Sequence, residues 1–165
     1  MDIRNTGLDR VLKLIRDNVD TNVLEKGKER QTLVAENKEP DYLPIIFGVK
    51  KNPELSGLVN HDHSEEFCHM EKMLENQLND LAGYALSGSD AQFSVRANLG
   101  TPFLATVLGM DINIFSHTLP WLTEHLDKEA FLKLDVNGIL DSIDERGLIP
   151  KAKECYRFYG RVLEE

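Results

Sequence analysis

The sequence predicts an α/β fold preceded by helices, and three observations predict it. "YLPIIFG" (42–48) is a short continuous apolar run closed by glycine, and its Ile-Ile-Phe content fits a strand buried on both faces. Residues 64–86 carry apolar side chains at helical spacing, and "AQFSVRAN" (91–98) is a second β-favouring run. Strand, long helix and strand make a βαβ unit, which implies a parallel sheet with a right-handed crossover. Two such strands leave edges unpaired and faces uncovered. The reading is therefore the opening of a larger α/β fold.

The elements follow in order. Leu8, Val11, Leu12 and Ile15 recur at helical spacing, as do Val23, Leu24, Leu33 and Val34. "DNVDTN" (17–22) disfavours helix and predicts two helices or a kink, and Pro40 is expected to stop the second. After the first strand, "VKKNPELSGLVNHDH" is a loop rich in turn residues. Ser64 reads as the N-cap of the long helix, with Glu65 and Glu66 favourable against its dipole. Its apolar face is Phe67, Met70, Met73, Leu74, Leu78, Leu81 and Ala85. Beyond "SVRAN", residues 101–110 read as a short helix or turn, "INIF" (112–115) as an extended piece, and 127–134 as a brief helix. A helical turn, a break at Gly147 and a last helix opened by Pro150 finish the chain. That helix places Ala152, Cys155, Tyr156, Tyr159 and Leu163 on one face, with Phe158 also expected to pack.

With 165 residues, 41% hydrophobic, the chain is long enough for one domain with an ordinary core. Its formal net charge of −9 argues against nucleic acid and anionic lipid surfaces as partners, since both need concentrated Lys and Arg. No apolar run approaches the ~20 residues of a membrane span. The start "MDIRNTGLDR" lacks the apolar core of a secretory signal. Cytoplasm is the expected compartment, with Cys68 and Cys155 as free thiols outside any metal-type spacing.

Three stretches together resemble the uroporphyrinogen decarboxylase superfamily. "RQTLVAENKEPDYLPIIFG" (30–48) is similar to its opening helix, Pro-Asp exit and first barrel strand. "SVRANLGTPFLATVLGMD" (94–111) resembles a segment of the decarboxylase-like and corrinoid methyltransferase-like branch, and "GLIPKAKECYRFYGRVLEE" (147–165) resembles its Gly-Leu-x-Pro helix. The resemblance implies the N-terminal portion of a TIM (β/α)₈ barrel, with residues 1–39 as a helical extension and 40–165 as the first βα units. It implies methyl transfer between a small methylated substrate and a corrinoid protein, with zinc supplied from residues outside this sequence. The alternatives are decarboxylation of a tetrapyrrole, or a non-catalytic half-barrel pairing with a second half or with a copy of itself. Alone, the chain is expected to be inactive. The loop after the first strand, "GVKKNPELSGL", holds Lys50 and Lys51 but none of the arginines that the decarboxylases use for substrate carboxylates.

Candidate ligand residues are Arg96, Asn98, Gly100, Thr101 and Asp111. Arg96 and Asn98 fall on one face of a strand near its end, where barrel sites lie. A guanidinium pairs with a carboxylate, and glycine admits a close backbone approach. Arg96, Lys50 and Lys51 are the groups available to capture tetrapyrrole carboxylates. Asn113, His117 and Trp121 are further candidates for the same mouth. "HDHSEEFCHM" (61–70) gathers His61, His63, His69 and Cys68, but its residues fit a solvated, capped helix start better than a zinc site.

Overall fold

The computed structural model describes residues 6–50 and 52–164. The chain divides into two compact units, Met1–Asn60 with Leu74–Val95, and His61–Met73 with Arg96–Glu165.

In the first unit, α1 (Thr6–Asn18) and α2 (Thr21–Ala35) are separate helices, as the "DNVDTN" stretch requires. Asp20 caps α2, its carboxylate accepting the N–H groups of Asn22 at 2.9 Å and Val23 at 3.4 Å. Helix α2 ends before Pro40. Asn37 turns left-handed (φ 56°), and the N–H groups of Asn37 and Lys38 close on the carbonyls of Val34 and Leu33. This is the Schellman arrangement, with asparagine in the position that glycine usually holds.

The single helix expected over 64–86 is two, α3 (His63–Cys68) and α4 (Met70–Ser87), separated by extended backbone at His69. The cap of α3 is Asp62 rather than Ser64. Its carboxylate accepts the Glu65 N–H at 2.9 Å, the Glu65 carboxylate accepts the Asp62 N–H at 3.3 Å, and Ser64 donates to Asp62 at 2.6 Å. Leu74, Leu78, Leu81 and Ala82 of α4 are buried in the first unit with Leu8 and Val11 of α1.

The α/β reading and the barrel are corrected by the pairing pattern. Neither 42–48 nor 91–98 belongs to a β-sheet. The only sheet among the described residues is the antiparallel pair of β1 (Ile112–Asn113) and β2 (Trp121–Leu122), with Ile112 opposite Leu122. Among the described residues no parallel ladder and no βαβ crossover is formed, so this is not the front of a (β/α)₈ TIM barrel. The reason lies in burial. Ile45, Ile46 and Phe47, read as covered on both faces, are each more than half exposed.

The second unit holds α3, the first turn of α4, α5 (Phe103–Val107), the β1–β2 pair, α6 (Lys128–Leu132), α7 (Val136–Asp141) and α8 (Ile149–Leu163). Asp127 and Asp135 cap α6 and α7 through the N–H groups of Ala130 and Gly138. Helix α8 buries Cys155, Phe158, Tyr159 and Val162, an i, i+3, i+4, i+7 stripe. Tyr156 and Leu163, expected on that face, are exposed. Gly147 (φ 51°) precedes α8, and a Cβ there would lie 2.5 Å from the Thr106 carbonyl carbon. Glycine thus lets the Leu148 N–H reach the Thr106 hydroxyl at 3.0 Å while Arg146 Nε donates to the Val107 carbonyl at 2.8 Å. No helix among the described residues is long and apolar enough to cross a membrane.

Gly83 in α4 tests the packing of the first unit. Alanine in a helix interior normally gains up to about 1 kcal/mol over glycine. Here the new Cβ would lie 2.7 Å from the Val49 carbonyl oxygen, a backbone atom with little freedom to yield. Urea denaturation should therefore find Gly83→Ala destabilised by about 1–3 kcal/mol. Gly160→Ala in α8, where the Cβ meets open space, should be neutral or stabilised.

Candidate functional site

The most unusual feature of the first unit is the stretch 42–49, an uncharged and largely apolar segment held at the surface. Its anchor is Arg30, which extends from α2 and is almost fully buried. The guanidinium binds Asp41 through two donors, Nε at 2.7 Å and Nη2 at 2.9 Å, and donates from Nη1 to Asp90 at 2.7 Å. Its carbon lies 3.6 Å from the centroid of the Tyr42 ring, a cation–π stack on the first residue of the segment. Asp41 holds the Arg30 charge above its ordinary range, and Arg30 in turn lowers the Asp41 carboxyl to about 2. The second oxygen of Asp90 accepts the Ile45 N–H at 2.9 Å, and the Asp90 N–H returns a bond to the Ile45 carbonyl at 2.9 Å.

Beyond Ile45 the backbone alternates. The Phe47 carbonyl accepts the Ser87 hydroxyl at 2.8 Å, and the Val49 N–H donates to the Gly83 carbonyl at 3.1 Å. Residues 45, 47 and 49 thus turn their peptide groups toward their own unit, as alternate residues of a strand do. The peptide groups of Ile46 and Gly48 form no hydrogen bond among the described residues. Tyr42, Leu43, Ile45, Ile46 and Phe47 are 50–73% exposed. The result is an apolar segment outside any β-sheet, tied to its own unit at alternate residues. Its far end, Gly48 to Lys50, borders a cavity of about 390 Å³ with Leu55, Leu58 and the α4 residues Asn79, Asp80 and Tyr84.

The sequence-predicted ligand residues lie in the second unit. Arg96 is exposed and Asn98 half-buried, its N–H directed at Met73 Sδ at 3.2 Å. Gly100 occupies a left-handed turn against Pro120, Thr101 is exposed, and Asp111 is exposed with its carbonyl accepting the Thr123 N–H. Asn113 and Trp121 pair across the two-stranded ribbon, and His117 is exposed beside Phe115. The histidines diverge. His63 Nδ1 meets Glu66 at 2.9 Å, His61 approaches Glu65 at 3.8 Å and His69 approaches Glu71 at 3.9 Å. No three metal-ligating groups converge among the described residues. Of the carboxylate-capturing candidates, Lys50 borders the cavity and Lys51 lies outside the described residues.

Comparison of the chain with family models, with curated proteins and with solved structures finds no match. The uroporphyrinogen decarboxylase resemblance is thereby corrected, and with it the methyltransferase, tetrapyrrole decarboxylase and half-barrel functions it implied. The ordered motifs that carried it, Pro-Asp before an apolar run and Arg-x-Asn before Gly-Thr, serve here as an ion-pair anchor and as turns. Arg30, Asp41, Asp90, Asn79 and Asp80 did not stand out in the sequence. Asp41 directly before "YLPIIFG" was the one available signal, a charge placed at the start of an apolar run.

The Asp41 carboxyl is depressed in the folded chain, so its contribution is complete above the unfolded value near 4 and is lost as pH falls through about 2. Tyr42 ring resonances should move toward free-tyrosine positions across that window. In Asp41→Asn they should no longer titrate there, because the carboxyl being protonated is absent.

Proposed function

We propose that the chain is an assembly protein that associates with a second copy of itself through the open edge of residues 42–49. One observation carries the reading. An apolar segment is tied to its own unit through residues 45, 47 and 49 while the peptide groups of Ile46 and Gly48 make no bond among the described residues. Such an edge is a template for strand addition, in which main-chain bonds join the partners and exposed side chains cover each other.

The edge is self-complementary under a two-fold axis. Antiparallel pairing of Ile46 with Gly48 of the second copy uses the N–H and carbonyl of both residues twice, giving a short isologous ladder. The axis then passes Phe47, which meets its counterpart as a close non-hydrogen-bonded pair, the arrangement in which aromatic residues gain most across strands. No ionisable side chain other than Tyr42 lies between Asp41 and Lys50, so the paired segments bring together little local charge. The net charge of −9 on each copy opposes approach at long range, and salt screens that repulsion over about 8 Å at physiological strength.

Light scattering should find a particle of twice the 18.7 kDa chain mass, favoured by added salt. Ile46→Pro removes an outward N–H that no intrachain bond uses, so it should give a folded monomer with unchanged circular dichroism. Phe47→Cys in a Cys68→Ser background should cross-link to a dimer on mild oxidation, because the paired Cα atoms would lie within disulfide range. A wild-type monomer at high concentration, or an Ile46→Pro variant that still dimerises, overturns the proposal.

A further inference from the structure

The second unit leaves an apolar strip uncovered. Helix α6 shows Phe131 and Leu132 to solvent, and α7 shows Val136 and Leu140, the four being 57–71% exposed. Val136 and Leu140 stand one turn apart on α7, while Ile139 between them is the residue that packs inward. The two helices meet through a short connection. There the Leu134 N–H donates to the Phe131 carbonyl at 3.3 Å, and the Val136 N–H donates to the Leu134 carbonyl at 3.1 Å. The end of α6 is thus held beside the start of α7, and the four side chains follow one another along one short stretch of surface. Contiguous exposed apolar area of this kind marks an interaction surface.

The surroundings of the strip are acidic. Glu124 to Glu145 hold seven carboxylates against two lysines, a net of five negative charges out of the chain's nine. Glu129 is met by Lys133 at 3.9 Å and Asp144 by Lys153 at 2.8 Å, while Asp127 and Asp135 serve as helix caps. Glu124, Asp141 and Glu145 are exposed and make neither kind of bond among the described residues.

We propose that this strip docks a basic amphipathic helix of a partner protein. The backbone here is helical and offers no edge for an added strand, so recognition falls to side chains. A helix with apolar residues at i, i+3, i+4 and i+7 matches the one-turn spacing of Val136 and Leu140. Lys or Arg along its flanks answers the unpaired carboxylates and speeds the encounter. A second copy of the chain brings net negative charge instead, and an anionic lipid surface is repelled by the same acids. The strip and residues 42–49 belong to different units, so docking does not depend on self-association.

Titration of the ¹⁵N-labelled full chain with a leucine–lysine peptide tests this. The peptide has leucine at i, i+3, i+4 and i+7 and about 18 residues, enough to hold a helix once docked. Saturable shifts are expected at Phe131, Leu132, Val136 and Leu140, with affinity falling as salt is raised. A scrambled peptide of the same composition has no apolar face and should bind about tenfold more weakly. Two double variants change exposed residues only: Leu132→Ser with Leu140→Ser, and Asp141→Asn with Glu145→Gln. Each should weaken the peptide about tenfold with unchanged circular dichroism, and the second should also flatten the salt dependence. Ile46→Pro should bind the peptide as the wild type does, so failure of the strip and failure of the dimer are read separately. The proposal is overturned by no shift at about 1 mM peptide, equal binding of the scrambled peptide, or shifts that map elsewhere. Cosedimentation with phosphatidylserine vesicles that the leucine double variant abolishes would also overturn it, by assigning the strip to lipid.

Discussion

Arg30 carries a full charge out of water, and the position of residues 41–47 follows from how that charge is satisfied. A buried guanidinium is tolerated only where its donors are met with good geometry. Here Asp41 meets it with two bonds and Asp90 with a third, while the Tyr42 ring covers its face. The carboxylates are satisfied in turn. Asp90 also accepts the Ile45 N–H, and its carbonyl takes the Gln31 side-chain amide. Removal of the guanidinium leaves Asp90, itself almost fully buried, without its counter-charge. The network therefore stands or fails as a unit, and the segment it holds is placed by charge rather than by a hydrophobic covering.

That placement explains an otherwise costly surface. A run of exposed Tyr, Leu, Ile, Ile and Phe in a loose loop would fold back onto any apolar surface within reach. This run is tied at its start by the Arg30 network, in the middle by the Ser87 hydroxyl and at its end by the Gly83 carbonyl. Beyond Tyr42, each tie engages backbone rather than side chain. The side chains are consequently displayed by the framework, and the same ties shape the cavity wall at Gly48–Lys50.

The sequence showed local structure well and long-range structure poorly, for a physical reason. The break at 17–22, the helix starting near residue 63, the turn at Gly147 and the proline-opened last helix depend on neighbours within a few positions. Their caps and spacings are written there. The burial of "YLPIIFG" is not local. An apolar run of that length records how many apolar atoms are present, not what covers them, and the βαβ reading rested on supplying a cover. Arg30 illustrates the same gap. It sits among the charged residues of "KGKER" (26–30), and its partner Asp90 lies sixty positions away with no pattern linking the two. The histidine cluster was more tractable, because each ring has a carboxylate two to four residues ahead, spacing that favours separate pairs over a shared metal.

Pro44 gives the segment its polarity and limits what can join it. The inward set is 45, 47 and 49, and a slip of one residue that put Pro44 opposite Asp90 would bring no N–H to the carboxylate. Proline therefore belongs on the outward edge, where its missing donor breaks no intrachain bond. On that edge it also shortens the available ladder, leaving Ile46 and Gly48 as the residues able to exchange both bonds with a partner. The opposite edge is already taken by Asp90, Ser87 and Gly83. In the self-association proposed above, a segment with one side occupied and the other self-complementary would accept a single partner and then have no edge to offer, so addition would close at two copies and not propagate into a fibre.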